Sequence, residues 1–346
     1  ELALVRARTL RGQRQFAAAE QVIAVALEAL DARALPEVRF DLLHTRFWCH
    51  WEQGRYQEAG EVARCLADAA SHSGRSERQG LAKLAMSYFA AAVGDPALAV
   101  TLAREAVQHA REIGHPFREA DGLTMLGSLE EMVGLHSESR ASLDAALALA
   151  TRLKMAYLQA VLATSRSRLS LGQGEIEQAL ELATLAVRLA EELKDPHTLC
   201  TALMVRARAL AARNYDGDLT EGTGAGAAAL RLCQEKYPNL EVEAHGLLSR
   251  LALARSLGGE AYDHAVAAQA LLDQLGTHAL YEVEILLTIH DAFCATGRDA
   301  AAAEILARAW RTLQAKAQRI GDASLRERFL SLPHHVRLAN LRGIRC

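Results

Sequence analysis

The chain reads as an all-α, right-handed superhelix of two-helix units, an α-solenoid, and three observations predict it. Turn-like glycines recur at Gly12, Gly54, Gly94, Gly134, Gly174, Gly217, Gly258 and Gly297, with gaps of 42, 40, 40, 40, 43, 41 and 39 residues. Prolines keep the same beat in a second phase, Pro36, Pro116, Pro196 and Pro238 being spaced by 80, 80 and 42. The composition suits helix: it is rich in alanine, holds six prolines and is 5% aromatic. Alanine loses no side-chain entropy in a helix, proline breaks the hydrogen-bond ladder, and scarce Val and Ile disfavour sheet. At 346 residues the chain exceeds one ordinary core, which an elongated array accommodates.

The first segment, ELALVRARTLRG, begins inside a helical pattern without a Met or a signal-peptide pattern, so the chain is expected to be a piece of a longer protein. In the next unit FWCHWEQGRY closes a first helix ahead of Gly54. VGDPALAVTLAREAVQHAREIG places Asp95 as an N-cap and Pro96 at the first helical position, where a missing N–H has no partner to lose. GHPFREADGLTMLGSLEEMVG then starts a first helix near Pro116 and stops it at Gly134, and SESRASLDAALALATRL follows as its second helix. Small residues recur on one face of the second helices: Ala99, Ala103 and Ala106; Ala179, Ala183 and Ala186; Gly222, Gly226 and Ala229. Such a face lets two helices approach closely. ARALAARNYDGDLTE reads as helix then turn, with Asp218 and Glu221 as a capping pair. The expected organisation is a superhelix over residues 1–320, one truncated and seven full units, with a helical cap over 321–346.

GDPALAVTLAREA and GQGEIEQALELATLA resemble the second half of a tetratricopeptide (TPR) repeat, and TMLGSLEEMVG resembles its first helix. The lengthened period of about 40 rather than 34 resembles the superhelical sensor regions of MalT-like bacterial signalling ATPases and transcriptional regulators. Asp322, Leu325, Arg326, Phe329, Leu330, Pro333 and His334, in GDASLRERFLSLPHHVRL, resemble the tail that follows the repeats there. The resemblance implies a non-enzymatic, cytoplasmic sensor or interaction region for signal transduction. It would bind a ligand or a protein or peptide partner in its concave groove, and an N-terminal effector or ATPase domain would lie outside this chain. A peptide-pheromone receptor and a constitutive protein–protein scaffold are the alternatives.

The resemblance also implies which residues line the groove, at 13, 10, 6 and 3 positions before each turn glycine. Before Gly54 these are Asp41, His44, Trp48 and Trp51. Tyr88 follows in the next unit, then Asp121, Thr124, Ser128 and Glu131, then Arg168, Asn214, Glu284 and Asp291. The Trp48/Trp51 pair either faces the groove as a binding hot spot or plugs the junction with the next unit. Asp121, Glu131, Glu284 and Asp291 suit a positively charged ligand or a solvated face. The Lys/Asn cluster of a carboxylate clamp is missing.

Other chemistries find little support. Cys49 and His50 are adjacent and point apart, which suits no shared metal. GTGAGAAA, from Gly222, follows helix and turn rather than a strand, so it is no dinucleotide fingerprint. No phosphate-loop, zinc-protease or serine-hydrolase motif occurs. Neither catalysis nor a cofactor is expected. A net charge of −3 gives no global attraction to nucleic acid or anionic lipid, and the basic stretch after Glu304 carries no helix-turn-helix. Six scattered cysteines suit reduced thiols in a cytosol.

Overall fold

The computed structural model describes residues 1–30, 35–73, 75–276 and 281–343, and among them the only regular structure is helix. Eight hairpins follow one another. The first four pair α1 (Leu2–Gly12) with α2 (Phe16–Ala29), α3 (Pro36–Glu52) with α4 (Tyr56–Ser73), α5 (Ser76–Ala92) with α6 (Pro96–Glu112), and α7 (Pro116–Met132) with α8 (His136–Arg152). The next four pair α9 (Ala156–Gly172) with α10 (Ile176–Leu193), α11 (Pro196–Arg213) with α12 (Asp218–Cys233), α13 (Pro238–Ala254) with α14 (Gly258–Leu275), and α15 (Glu282–Ala295) with α16 (Asp299–Arg319). Two short helices, α17 (Ala323–Leu330) and α18 (Pro333–Leu341), end the described chain. Each helix packs on its sequence neighbours, and α9, α11, α13 and α15 also touch one another in series. This is a TPR-like solenoid. Cys346 lies outside the described residues.

The stops follow from backbone chemistry. At Gly94, Gly134 and Gly174 the chain turns left-handed, with φ of 76°, 79° and 76°. The next residue's N–H then reaches back to a carbonyl five residues earlier: Asp95 to Ala90 at 2.8 Å, Leu135 to Glu130 at 2.8 Å, and Glu175 to Ser170 at 2.9 Å. Those bonds satisfy carbonyls that a helix end leaves orphaned. Asp95 caps α6 by accepting from the Leu98 N–H at 3.1 Å, with Pro96 behind it.

Gly12 and Gly258 are not the turn residues that the glycine spacing suggests. Gly12 ends α1 and Gly258 opens α14, while Arg14 (φ 59°) and Ser256 (φ 60°) take the left-handed positions. In the sixth unit Asn214 (φ 54°) ends α11 and Gly217 (φ 85°) merely precedes α12. The left-handed turn residues of the first six hairpins therefore fall at 14, 54, 94, 134, 174 and 214, 40 residues apart, and Ser256 and Gly297 follow at intervals of 42 and 41. Asp218 is not a cap either: its carboxylate pairs with Arg213 at 2.7 Å and accepts from the Tyr215 N–H at 2.9 Å, bracing the turn.

The superhelix completes a turn and meets itself. Arg14 donates to the Lys236 carbonyl at 3.3 Å and lies 3.7 Å from the Tyr237 ring centroid. Gly54 abuts Leu275, Gly94 abuts Lys316, and Gly134 abuts the Arg328 carbonyl. Arg319 also donates to the Val93 carbonyl. The first three pairings are offset by 222, 221 and 222 residues, so one superhelical turn takes about five and a half units.

Candidate functional site

Closure leaves a cavity of about 230 Å³ along the inner face, enough for roughly eight waters at about 30 Å³ each. Its wall is drawn from α3, α4, α5, α7, α9, α11 and α13, together with Tyr281. One side is aromatic and thioether: Trp51, Tyr56, Tyr88, Met125, Met132 and Met204. The other carries Arg168, Arg208, Glu243, His197, Asn239 and Tyr281.

The aromatic side answers how FWCHWEQGRY is used. Trp48 and Trp51 both lean on Tyr88 of the next unit, with centroids 5.2 and 5.1 Å away, and Trp51 also meets Tyr56 at 4.9 Å. Such edge-on pairs are worth about 0.5–1.5 kcal/mol each beyond their burial. The two indoles thus plug the α3–α5 junction, and Trp51 additionally lines the cavity. The Trp48 Nε1–H donates to His44 Nε2 at 3.2 Å, and burial depresses the His44 imidazole to about 3. Cys49 is buried beside them, its thiol pushed up to about 12 by desolvation.

The polar side is a half-buried network of arginines and carboxylates. Arg250 reaches Glu284 at 2.7 Å and Arg208 reaches it at 3.5 Å. Burial alone would raise the Glu284 carboxyl, but the two arginines outweigh it and hold it at about 2. Arg168 stacks 5.3 Å from the Tyr281 ring centroid and Arg208 lies 5.5 Å from it on the same network. Desolvation opposes the Arg168 charge, while Tyr281, Glu131, Glu243 and Glu284 more than offset it. Arg168 is half-buried and lines the cavity.

Of the residues the sequence singled out, Trp51, Tyr88, Ser128 and Arg168 line the cavity. Thr124 hydrogen-bonds its own helix at the Ala120 carbonyl, 2.8 Å away. Asp41 pairs with Arg8 at 3.5 Å near the surface, and Asp291 pairs with Arg337 at 2.6 Å. Asp121 is half-buried and makes no hydrogen bond or ion pair among the described residues, and desolvation raises its carboxyl. Glu131 sits beside the arginine network with Oε2 buried and unpartnered. The charge of Glu284, and much of that of Asp291, is thus already countered from within the chain.

Asn214 occupies the turn itself rather than the inner face, because the sixth unit turns three residues before Gly217. Counting back from Asn214 by 13, 10 and 6 gives Thr201, Met204 and Arg208, all of which line the cavity. Counting back from Ser256 by 13 gives Glu243, another lining residue. The missing signal in these two units is that a left-handed turn residue need not be glycine. His197 and Asn239, at the second positions of α11 and α13, lie outside that pattern.

No group of three or more His, Cys, Asp or Glu among the described residues is placed to hold a metal ion. No described helix is long and apolar enough to cross a membrane.

Comparison with known proteins supports the fold. The family model described as anaphase-promoting complex subunit 5 matches residues 43–116 and 128–212. No curated protein matches the sequence. Among solved structures, a Rap protein complexed with competence and sporulation factor superposes with a TM-score of 0.61 at 14% identity, covering 99% of this chain and 97% of that one. The apo quorum sensor NprR from B. thuringiensis gives 0.58 at 11% identity over 90% and 86% of the two chains. Human IFIT1, solved as a dimer with PPP-AAAA, gives 0.58 at 14% identity over 97% and 77%. At these identities the likeness is one of fold.

Proposed function

We propose that this chain is the non-enzymatic sensor or interaction region of a larger bacterial signalling or transcriptional regulator, and that it acts by seating a ligand or partner segment in the inner cavity. The observation that carries the reading is the cavity wall itself. Aromatic and methionine side chains share that wall with two half-buried arginines, Arg168 and Arg208. Pockets that recognise small ligands pair an apolar lining with a few placed polar groups.

In this reading residues 1–320 form the sensing superhelix and 321–346 its cap. The signal passes to an attached domain of the MalT-like ATPase or DNA-binding kind, in the cytoplasm. An occupant that fits the closed turn better than an opened one shifts the packing of units, and so the state of that attached domain. A second reading, a receptor for a short signalling peptide, draws on the same cavity. A structurally similar Rap protein was solved with competence and sporulation factor.

The test is a thermal-shift screen of metabolites and short peptides, followed by titration on Trp51 emission. Ser128→Phe, which narrows the cavity, should abolish any hit while leaving the helical circular dichroism intact. A hit that binds the narrowed variant equally well would refute cavity recognition. Partner capture that ignores both hit and variant would indicate a constitutive scaffold instead.

A further inference from the structure

Six residues before the left-handed turn, four consecutive first helices each place a side chain on the cavity wall, and the row changes character along the superhelix. Tyr88 on α5 is followed by Ser128 on α7, Arg168 on α9 and Arg208 on α11. Arg250 holds the same place on α13. Trp51, Met125 and Met132 broaden the apolar end on the same wall. An occupant lying along the row therefore meets aromatic and thioether surface at one end and guanidinium groups at the other.

The arginines differ in what they already hold. Glu284 accepts from Arg250 at 2.7 Å and from Arg208 at 3.5 Å. Arg168 makes no hydrogen bond or ion pair among the described residues, and its guanidinium rests on the Tyr281 ring, 5.3 Å from the centroid. Its Nε is sealed off, whereas its two terminal nitrogens keep accessible surface and have no acceptor. A planar carboxylate fits such a fork with two parallel N–H···O bonds, and a charge-assisted bond is roughly twice as strong as a neutral one. Glu243 lines the same wall, so a second negative charge is disfavoured there and a monoanion ranks above a phosphate.

We infer that the cavity takes a small monocarboxylic acid with an aromatic or apolar body, its carboxylate on the terminal nitrogens of Arg168 and its body against Tyr88, Trp51 and the cavity methionines. This rests on the cavity reading above and narrows it. A free acid and the C-terminal carboxylate of a peptide ending in an aromatic residue share this chemistry. The assignment also replaces the positively charged ligand that the groove acids, taken alone, suggested.

Matched acid and amide pairs test it by calorimetry on the full chain. One pair is 3-phenylpropionate and 3-phenylpropanamide; the other is acetyl-Ala-Ala-Phe with a free and with an amidated C-terminus. In at least one pair the acid should bind at least about tenfold more tightly than its amide, the effect of one hydrogen bond to a charged group, and the pair that shows it identifies the source. Arg168→Met should remove that preference, and Arg168→Lys, which keeps the charge without the planar fork, should restore only part of it. Both variants should retain wild-type helicity, and tryptophan quenching that disappears in Trp51→Phe reports the position. An amide that binds as tightly as its acid in both pairs, an acid preference indifferent to Arg168→Met, or tighter binding of phenyl phosphate than of 3-phenylpropionate overturns the carboxylate assignment. Equal binding within both pairs with Trp51-dependent quenching leaves the cavity reading standing and removes only the carboxylate. Silence from all of these at about 1 mM overturns both.

Discussion

His44 is half-buried at a junction where protonation has no compensation: desolvation dominates, and the charges of Arg118, Arg11 and Arg8 add to it. An ordinary histidine titrates near 6.5, whereas His44 stays neutral to about 3. Below 6.5 the unfolded chain therefore binds a proton that the folded chain refuses, and stability is lost as pH falls through that window. His335, also depressed to about 3, and His245, to about 4, act in the same direction. Urea denaturation at stepped pH should thus show stability falling from pH 6.5 downward, with a shallower slope in His44→Phe; an unchanged slope would mean that His44 does not titrate abnormally. Asp121 has the opposite sign. Its folded pKa is raised by burial, so its charge works against the fold once pH exceeds the ordinary 3.8. Asp121→Asn should raise the melting temperature at neutral pH and lose that effect in acid.

The helical hairpin owes its close approach to a small-residue seam, and the seam carries a recurrent buried hydrogen bond. Ser87 donates to the Ala99 carbonyl at 2.8 Å, Ser167 to Ala179 at 2.6 Å and Ser249 to Ala261 at 2.8 Å, each from the first helix to the second across twelve residues. In the α7–α8 hairpin the roles reverse: Ser139 on the second helix donates to Gly127 on the first at 2.7 Å. The alanine phase in the sequence already marked the second-helix half of this seam, because small residues four apart announce a contact face. The serine partners gave no periodic hydropathy signal, since a buried hydroxyl reads as polar until its acceptor is known. The turn register was half legible for a similar reason. Glycine advertises a left-handed residue, but Arg14, Asn214 and Ser256 adopt it too, at a strain of about 1–2 kcal/mol that neighbouring contacts offset. That shift hid Thr201, Arg208 and Glu243 from the groove pattern while leaving Arg168 visible.

The seam also separates two kinds of helical glycine. A Cβ on Gly127 would lie 2.7 Å from Leu143 Cγ and 3.2 Å from the Ser139 carbonyl, whereas one on Gly224 would meet nothing within 4 Å. Gly224→Ala should therefore stabilise the protein by about 0.8–1 kcal/mol, the helix-propensity gain. Gly127→Ala should destabilise it by about 1–3 kcal/mol despite the same gain, because overpacking a fixed seam outweighs propensity. Chemical denaturation of the two variants side by side decides this, and equal stabilisation would show that the α7–α8 seam yields.

Repeat arrays are ordinarily one-dimensional, each unit stabilised only by its neighbours. Here the near-constant 222-residue offset adds a second dimension, tying the left-handed turns of the first units to the backbones and side chains of the last. The cavity depends on that closure, since its wall joins Trp51 and Tyr56 to Asn239 and Leu240 from across the turn. Gly134 and Gly174 separate the two dimensions cleanly. Both sit at nearly the same positive φ, 79° and 76°, so alanine strains either backbone equally. Only at Gly134 would the new Cβ meet the opposing turn, 3.0 Å from the Arg328 carbonyl oxygen, while at Gly174 it meets nothing within 4 Å. Gly134→Ala should therefore lose more stability than Gly174→Ala, and small-angle scattering should show a larger radius of gyration for Gly134→Ala alone. Any ligand of the cavity should bind that variant more weakly, because part of its binding energy must then reclose the turn. Identical behaviour of the two variants would mean that the turn-to-turn contact contributes nothing, and that the solenoid is governed by nearest neighbours alone.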